Sequence, residues 1–406
     1  MDALTRTASA YLAAGDPLAV LKLVALTGDP AGLALRGIAM AQLGDLARAR
    51  ELLRLAVRRF GAGQPLARAR CVLAEAEIAL VSRDLGRAMA ALPAARTVLA
   101  ARGDRVNAAH AGYLEARQFL LLGRVDQAEA LLDGLNVVDL PPPSRVSVDL
   151  VRAGIAIRRI RATEAKTILT RTLLRAEATG MPPLIAEVDR AIRMIDAPAA
   201  RLIAEGKARV VALREIERLM TSDALIVDAC RGAFRAGERV IPLARRPVLL
   251  SLLRALAEST PAPMARQTLL VRAFGARHAD DSHRARLRVE IARLRAEIAT
   301  LAGVRATGEG FALDPHGGRQ VMVLAPATEA GHDDLMALLS DGEAWSSTAL
   351  SLAMGVSART VQRALDELRR TGWAERFGRG RNQRWIMSNV PTFPTNLLLP
   401  GSDISG

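Results

Sequence analysis

The chain has 406 residues, half of them hydrophobic, and carries 56 Lys and Arg against 42 Asp and Glu, a formal net charge of +14. That length predicts several domains with sizeable cores, and the basic balance favours a polyanionic partner. Two cysteines, Cys71 and Cys230, exclude a disulfide framework and are expected to be buried thiols. Without a signal pattern or an apolar run long enough to span a membrane, we expect a cytoplasmic protein.

Short turn motifs recur along the first two hundred residues and predict an array of repeats. Each begins with a pattern such as Gly44-Asp45-Leu46 and is followed by a small residue five positions after its start. A pair of larger aliphatic residues then follows, which would let two antiparallel helices approach closely and lock. Single hairpins of this kind cannot bury their apolar face, so neighbours must stack. The small residues are Val20, Ala49, Ala88, Ala128 and Ala165.

This stretch, residues 1–206, resembles the tetratricopeptide-repeat superfamily in the longer form, of about 40 residues, found in bacterial transcription regulators. The likeness rests on the Gly-Asp-x-x-x-Ala spacing, because the Trp and Tyr of the standard repeat are missing. It implies a helical solenoid that docks a protein partner, such as RNA polymerase or another regulator. Two alternatives stay open: an unrelated Ala- and Leu-rich helical bundle, and a scaffold that only holds a homodimer together.

Residues 223–315 show a different rhythm, in which three strands precede three helices and a Gly-tipped hairpin ends the segment. The long third helix has a buried stripe of Leu287, Ile291, Leu294 and Ile298. The strands are predicted within 225–230 and 232–243, the helices at 248–256, 266–275 and 282–301, and the hairpin at 304–313.

The order of these elements resembles the OmpR-type winged-helix effector domain of response regulators. The residues that carry the likeness are the leading strands, Leu269, Phe274-Gly275, Val289-x-Ile291-x-Arg293-Leu294-Arg295 and Gly308-Glu309-Gly310-Phe311. The resemblance implies that the long helix enters the DNA major groove and that the hairpin wing touches the adjacent backbone.

Carried over, the resemblance places Arg284, Arg286 and Arg288 against DNA, while Arg293 and Arg295 are expected in structural ion pairs. Ala285-Arg286-Leu287-Arg288 stands where the family usually has Arg-Thr-Val-Asp, so base contacts do not carry over. Nothing upstream predicts a phosphoacceptor domain, which argues against phosphorelay control. A solvated arginine face and a protein-binding winged helix remain the alternatives for this helix.

A second winged helix is predicted at residues 332–388. One helix ends at Gly355, Ser357 suits the N-cap of the next, and Val361, Leu365 and Leu368 share its inner face. The pattern resembles bacterial helix-turn-helix regulators with a wing. The outward residues of the second helix are Arg359, Thr360, Gln362 and Arg363, and the wing arginines are Arg379, Arg381 and Arg384.

These side chains suit different parts of a DNA site. Arg359, Thr360 and Arg363 are predicted to contact the major groove or phosphates, and Gln362 is suited to adenine. The wing arginines would fix register against phosphate or the minor groove. Trp373 and Trp385 are expected in the wing core rather than stacked on bases. Residues 389–406 are predicted to be an extended or disordered tail.

The fold predicted is mainly α, a helical-repeat solenoid followed by two α+β winged-helix domains, with linkers at 207–222 and 316–332. The function predicted is a sequence-specific regulator of transcription on double-stranded DNA, located on the nucleoid. No catalytic, cofactor or metal pattern stands out, so an enzyme is not expected. The alternatives are an interaction scaffold whose winged helices bind proteins and, disfavoured by the scarcity of aromatic residues, an RNA-binding protein.

Overall fold

The computed structural model of the protein describes residues 3–13, 16–81, 87–121, 124–274, 281–326, 335–336, 339, 345–354, 356–378 and 383–387. Within these residues a mainly helical N-terminal region precedes a region that mixes helices with sheets. None of the helices in the described ranges is both long and apolar enough to cross a membrane.

The helical region packs consecutive helices against one another in pairs. Aspartates cap several of these helices, because a short carboxylate can accept from the exposed backbone N–H groups of a first turn. The helices are α1 (Ala3–Ala13), α2 (Pro17–Leu23), α3 (Pro30–Gln42), α4 (Leu46–Arg59), α5 (Pro65–Val81), α6 (Arg87–Ala101), α7 (Arg105–Leu121), α8 (Val125–Asp133), α9 (Pro142–Arg158), α10 (Ala162–Thr179) and α11 (Pro182–Asp196).

The small residues of the repeat pattern lie where neighbouring helices touch. Val20, Ala49, Ala128 and Ala165 are fully buried, as the sequence predicted, whereas the side chain of Ala88 lies outside the described part of the chain. At Gly37 a Cβ atom would come 2.9 Å from the Leu53 side chain, so α3 and α4 approach more closely than larger residues would allow.

Beyond α11 the strands form one six-stranded sheet and two small sheets. The large sheet has the order β2-β1-β9-β3-β4-β5, with β3 and β9 parallel and the other neighbours antiparallel. The strands are β1 (Pro198–Ala204), β2 (Lys207–Ala212), β3 (Leu225–Asp228), β4 (Ala233–Ala236), β5 (Arg239–Pro242), β6 (Met264–Ala265), β7 (Ala302–Ala306), β8 (Gly310–Pro315), β9 (Val321–Ala325), β10 (Ala374–Phe377) and β11 (Arg384–Met387).

Two of these strand regions correct the sequence analysis, which assigned 207–222 and 316–332 to linkers. Residues 207–212 are β2, residues 213–220 are a helix, and residues 321–325 are β9, a central strand of the large sheet. The β1–β2 turn has positive φ at Glu205 and Gly206, the geometry of a tight hairpin. Strand β9 has no local signal, because its partners, such as Arg201 opposite Ala325, are distant in sequence.

The six-stranded sheet is a layer shared by the helical region and the α/β region. Leu225, Val227 and Val323 face one hydrophobic core, while Ile226 and Leu324 face the other. This alternation follows from the two-residue period of a strand. The second core also contains α9, α10 and α11, so the last helical hairpins are packed directly on the sheet.

The remaining helices agree with most of the predicted pattern. We define the middle unit as residues 198–325 and the C-terminal unit as the described residues from 335 to 387. In the middle unit the helices predicted near 248, 266 and 282 are present, as is the 304–313 hairpin. The helices are α12 (Leu213–Met220), α13 (Pro247–Ser259), α14 (Arg266–Phe274), α15 (Asp281–Ile298), α16 (Ser347–Met354) and α17 (Ala358–Arg370).

Candidate nucleic-acid interface

Helix α15 of the middle unit has one buried stripe and one arginine-rich exposed face. Leu287, Ile291 and Leu294 are at most 3% exposed and fix the helix on α13 and the sheets. Because these residues recur at helical spacing, the side chains between them must point away from the core. The three arginines predicted to face DNA are exposed: Arg284, Arg286 and Arg288.

The arginines of α15 differ in how the protein holds them. The guanidinium of Arg286 lies 4.6 Å from the centre of the Phe274 ring, which restricts its side chain. Arg293 pairs with Glu290 at 2.8 Å, as expected. Arg295 instead donates its Nε–H to the carbonyl of Val304 at 2.8 Å and forms no ion pair with any residue that the structure describes. The far end of the helix is therefore engaged in structural contacts.

Val289 is an exposed apolar residue next to Arg288, and it was not among the contacts predicted from the sequence. Val289 is 50% exposed and stands one helical turn after Ala285, opposite the buried stripe. An exposed aliphatic side chain at this place is suited to a thymine methyl group in a major groove. The sequence could have indicated that Val289 is exposed, because it falls outside the i, i+4, i+7 pattern of the buried residues.

The hairpin of β7 and β8, predicted to be the wing of the middle unit, is anchored at its tip. Arg266, at the start of α14, donates to the carbonyl oxygens of Thr307 and Gly308 at 3.0 and 2.9 Å. A Cβ at Gly310 would overlap the Met264 carbonyl oxygen, so only glycine fits where β6 meets β8. These contacts hold the tip of the hairpin against the start of α14.

A half-buried carboxylate links the two helices that precede α15. Glu258 of α13 accepts from Arg254 at 2.7 Å and also from Arg272 of α14. Burial raises the pKa of Glu258, but the hydrogen bonds and charges of Arg254 and Arg272 outweigh it and hold the pKa below its usual value. The ion pairs therefore fix α14 relative to α13.

The C-terminal unit builds a second helix pair on a smaller core. Ser357 caps α17, because its hydroxyl accepts from the backbone N–H of Thr360 at 3.1 Å. Val361, Leu365 and Leu368 are fully buried, as the sequence predicted. The predicted helix end at Gly355 lies outside the described residues.

Two of the four residues predicted to contact DNA from α17 already have local partners. The Thr360 hydroxyl lies 2.8 Å from that of Ser357, and the Gln362 amide donates to Asp366 at 3.2 Å. Arg359 and Arg363 are exposed, and within the described residues neither forms a hydrogen bond or an ion pair. Their guanidinium groups are thus presented to solvent from successive turns of one helix face.

Strands β10 and β11 form the hairpin predicted to be the second wing. Trp385 is fully buried in the core of this unit and bridges to Trp345 through backbone hydrogen bonds of 2.8 and 2.9 Å. Trp373 is half-buried and packs against the same core, so neither Trp373 nor Trp385 is a fully exposed stacking platform. Arg384 is half-buried at the start of β11, whereas Arg379 and Arg381 lie outside the described residues.

The helical region contains a buried polar row on α5, α7 and α11. His110 and Glu77 lie 3.1 Å apart, and Arg117 donates to the Tyr113 hydroxyl at 3.0 Å. Burial raises the pKa of Glu187 to about 7, against the opposing charges of Arg117 and Arg190. His110 and Glu77 are 33 positions apart in the chain, so the sequence gives no local signal of their contact.

The cysteines and possible metal ligands complete the inventory of reactive groups. Cys71 is buried and its pKa is raised to about 12 by burial, while Cys230 is half-buried. Neither cysteine forms a disulfide. In the described ranges no group of three or more His, Cys, Asp or Glu side chains could hold a metal ion.

Comparison with models of known protein families, with curated proteins and with solved structures finds no match to this chain. The geometry of α15, α17 and their hairpins is therefore the basis for assigning a function.

Proposed function

We propose that this protein is a sequence-specific DNA-binding regulator of transcription that uses two winged helices. The observation that carries the proposal is a repeated arrangement in two separate units. In each, a helix fixed by a buried aliphatic stripe exposes arginines and precedes a two-stranded hairpin. Such a helix can enter a major groove while the hairpin rests on the adjacent backbone.

We also propose a fold type for each of the three regions on the basis of this geometry. The middle unit is an OmpR-like winged helix extended by the β1–β2 hairpin and β9, and the C-terminal unit is a second winged helix. The helical pairs before them are tetratricopeptide-like repeats. Support for the repeats comes from the buried small residues at Val20, Ala49, Ala128 and Ala165.

The two winged helices would divide the work on DNA. Arg359 and Arg363 of α17 are held by no internal partner in the described residues and are suited to guanine or phosphate. On α15, Arg284, Arg288 and Val289 are all exposed, which favours phosphate contacts by the arginines and contact of Val289 with a thymine methyl. Because the units are covalently joined, binding of one raises the effective concentration of the other.

The helical region would serve as the docking or dimerisation module. It exposes single apolar residues such as Leu26 and Leu174, which are 100% and 67% exposed. Stacked helical pairs offer extended surfaces for a protein partner. RNA polymerase, another regulator or a second copy of this chain would each suit that role.

A second candidate function is protein binding by the same winged helices. The observation that favours it is the acidic pair Asp366 and Glu367, both exposed on α17 among the arginines. Carboxylates on a helix that faces phosphates are unfavourable, whereas they suit a mixed-charge protein surface. Salt dependence distinguishes the two candidates, because only DNA binding releases many condensed counterions.

The test is selection of genomic DNA fragments by the purified full-length protein at near-physiological salt, followed by sequencing. We expect one enriched motif in two parts with a fixed spacing. Affinity for that motif should fall steeply with salt, because each neutralised phosphate adds to the slope. Recovery of fragments without any motif, or an affinity that salt does not change, would reject the proposal and favour protein binding.

A further inference from the structure

A cavity of about 400 Å³, which we call the junction cavity, lies where the helical region, the six-stranded sheet and the C-terminal unit meet. The helical region contributes Met194, the sheet contributes Leu324, and the C-terminal unit contributes Trp373 and Met387. Its size is within the range of pockets that enclose small organic molecules. Since its walls come from three parts of the chain, any occupant would contact all three.

Small side chains at the start of β1 create part of this space. Ala197, Ala199 and Ala200 all line the cavity, and the register between β1 and β2 is irregular between Pro198 and Ala200. A methyl group leaves room that a larger aliphatic side chain at the same position would fill. Protein interiors otherwise hold few voids larger than a water molecule, so a cavity of this size is space for a ligand.

The charged groups of the wall already have partners within the protein. Among the described lining residues, only Arg158, Asp228 and Arg231 carry charges. The Asp228 carboxylate accepts from the Arg231 backbone N–H at 3.0 Å and lies 3.7 Å from the Arg231 guanidinium, which makes a neutral pair. Arg158 also interacts with another group of the protein. An ionic ligand would therefore have to displace one of these partners.

The rest of the wall is apolar and decides the chemistry of a fitting ligand. An ion that enters such an enclosure without a counter-charge loses its hydration at a large cost in free energy. An uncharged apolar molecule avoids that cost and gains contacts with side chains such as Ile216, Leu324 and Trp373. We propose that the junction cavity binds an uncharged, largely apolar small molecule.

Such a ligand would join the C-terminal unit to the body formed by the helical region and the middle unit. Trp373 precedes β10 and Met387 ends β11, while Leu213 and Ile216 lie on α12 and Leu324 on β9. A molecule in contact with both sides stabilises the arrangement in which they meet, because it binds that arrangement in preference to a separated one. The site does not depend on whether α15 and α17 bind DNA.

The first experiment compares two dyes that differ by one charged group, on the full-length protein without DNA. N-phenylnaphthylamine is uncharged, whereas anilinonaphthalenesulfonate carries a sulfonate on the same rings. Both dyes fluoresce more strongly in apolar surroundings, so a fluorescence titration measures their binding. We expect one saturable site for the uncharged dye and binding of the sulfonate that is weaker by a factor of about ten or more. No saturable binding of the uncharged dye, or equal binding of both dyes, would overturn the proposal.

Substitutions then locate the site. Ala199→Phe should weaken binding of the uncharged dye by a factor of about ten or more, because the added ring occupies the space that the dye needs. The matched control Ala208→Phe adds the same ring at an exposed position of β2 outside the cavity and should leave binding within a factor of about two. Unchanged binding by Ala199→Phe with a native circular dichroism spectrum would place the dye elsewhere and contradict the proposal.

A measurement on the unsubstituted protein keeps the test decisive if Ala199→Phe does not fold. Cys230 is half-buried and lines the cavity, whereas Cys71 is buried and its pKa is raised to about 12 by burial. Iodoacetamide should therefore alkylate Cys230 in preference to Cys71, because access and thiolate content set the rate. Mass spectrometry of peptides measures this rate.

The uncharged dye should protect Cys230 from alkylation. At about ten times the dissociation constant of the dye, the rate should fall by a factor of about ten, because only the unoccupied protein reacts. An unchanged rate would mean that the dye binds outside the cavity. No alkylation of Cys230 without dye would mean that the cavity is closed to small molecules, and either result would reject the site.

Hydrogen exchange followed by mass spectrometry tests whether the ligand joins the two sides. Saturating uncharged dye should slow exchange by a factor of about two or more in both α12 and β11, and should have no such effect in Ala199→Phe. Slower exchange on one side only would contradict the joining role while the dye site stands. A protein that binds the dye but selects no DNA motif would instead reject the proposed function, so the failures differ.

Discussion

The middle and C-terminal units follow one plan but are embedded in the molecule differently. Helix α15 belongs to a core that includes the six-stranded sheet, and the opposite face of that sheet packs on the helical region. Helix α17 belongs to a small core that includes Leu350, Leu365 and Trp385. We expect the larger shared core to hold α15 rigidly. Helix α17, which packs on a small separate core, can adjust its position to its target.

The exposed faces of the two helices also differ, because more of the arginines on α15 than on α17 are held by contacts within the protein. On α15 the protein already engages Arg286 with Phe274 and Arg293 with Glu290. On α17, Arg359 and Arg363 have no hydrogen bond or ion pair within the described residues. We therefore expect α15 to contribute mainly phosphate contacts and α17 mainly base contacts.

The largest expected effect comes from removing both exposed arginines of α17. Arg359→Ala with Arg363→Ala should cost about 1–3 kcal/mol of binding free energy per arginine and relax specificity at two base positions. Arg284→Ala with Arg288→Ala should weaken binding on all sequences alike and lower the salt slope by about two. Fluorescence anisotropy on the selected site and on permuted sites measures both effects.

A charge-matched control separates contact from overall charge. Arg102→Ala with Arg171→Ala removes two exposed arginines from the helical region and should leave DNA affinity nearly unchanged. Equal loss on every sequence for the α17 pair would mean that Arg359 and Arg363 touch only phosphates, and the proposed division of work would be wrong.

Because α15 and α17 belong to different hydrophobic cores, a destabilising substitution in each core should affect different parts of the chain. Leu294→Ala and Leu365→Ala each remove a fully buried side chain and should cost about 2–5 kcal/mol of stability. Hydrogen exchange followed by mass spectrometry should show faster exchange in α9–α11 for Leu294→Ala. For Leu365→Ala faster exchange should be confined to 345–387. Spread of the second effect into α9–α11 would show that the units unfold together.

A pH effect should act on the body and spare the C-terminal unit. Burial raises the pKa of Glu187 on α11 from 4.5 to about 7. Between these values the native state keeps a proton that the unfolded chain has released, so stability falls as the pH rises through this window. The expected loss is on the order of 1–3 kcal/mol.

Glu187→Gln should flatten this pH dependence, because a neutral amide replaces the titrating carboxyl. Chemical unfolding at about pH 5 and pH 8, with Glu177→Gln as an exposed control on α10, measures the difference. Identical slopes for the wild type and Glu187→Gln would show that Glu187 does not titrate in this range.

The smallest expected effect concerns the cap of α17. Ser357→Ala removes the acceptor for the Thr360 N–H and should cost about 0.5–2 kcal/mol, confined to the C-terminal unit. Ser357→Asp keeps an acceptor and should stay close to the wild type in thermal unfolding. If Ser357→Ala weakened the middle unit as well, the separation of the two units would need revision.

Sequence reasoning succeeded where the signal was local. Residues of one helix are enough to define the stripe of Leu287, Ile291 and Leu294. The cap at Ser357 involves the backbone N–H of Thr360, only three residues away. It failed at β1, β2 and β9, because the exposed face of β2 lacks a clear apolar alternation and β9 is defined by distant partners. Residues assigned to linkers turned out to include two strands, β2 and β9, of the sheet on which the helical region packs.

For the candidate interface, the sequence alone determined which residues of α15 and α17 face outward, because a helix repeats every 3.6 residues. Only the tertiary structure decided how the interface is held: the Phe274 ring of α14 lies 4.6 Å from the Arg286 guanidinium, and Arg266 donates to the carbonyl oxygens of Thr307 and Gly308 at the hairpin tip. Periodicity is written into neighbouring residues, whereas such contacts exist only after chain segments far apart in sequence have come together.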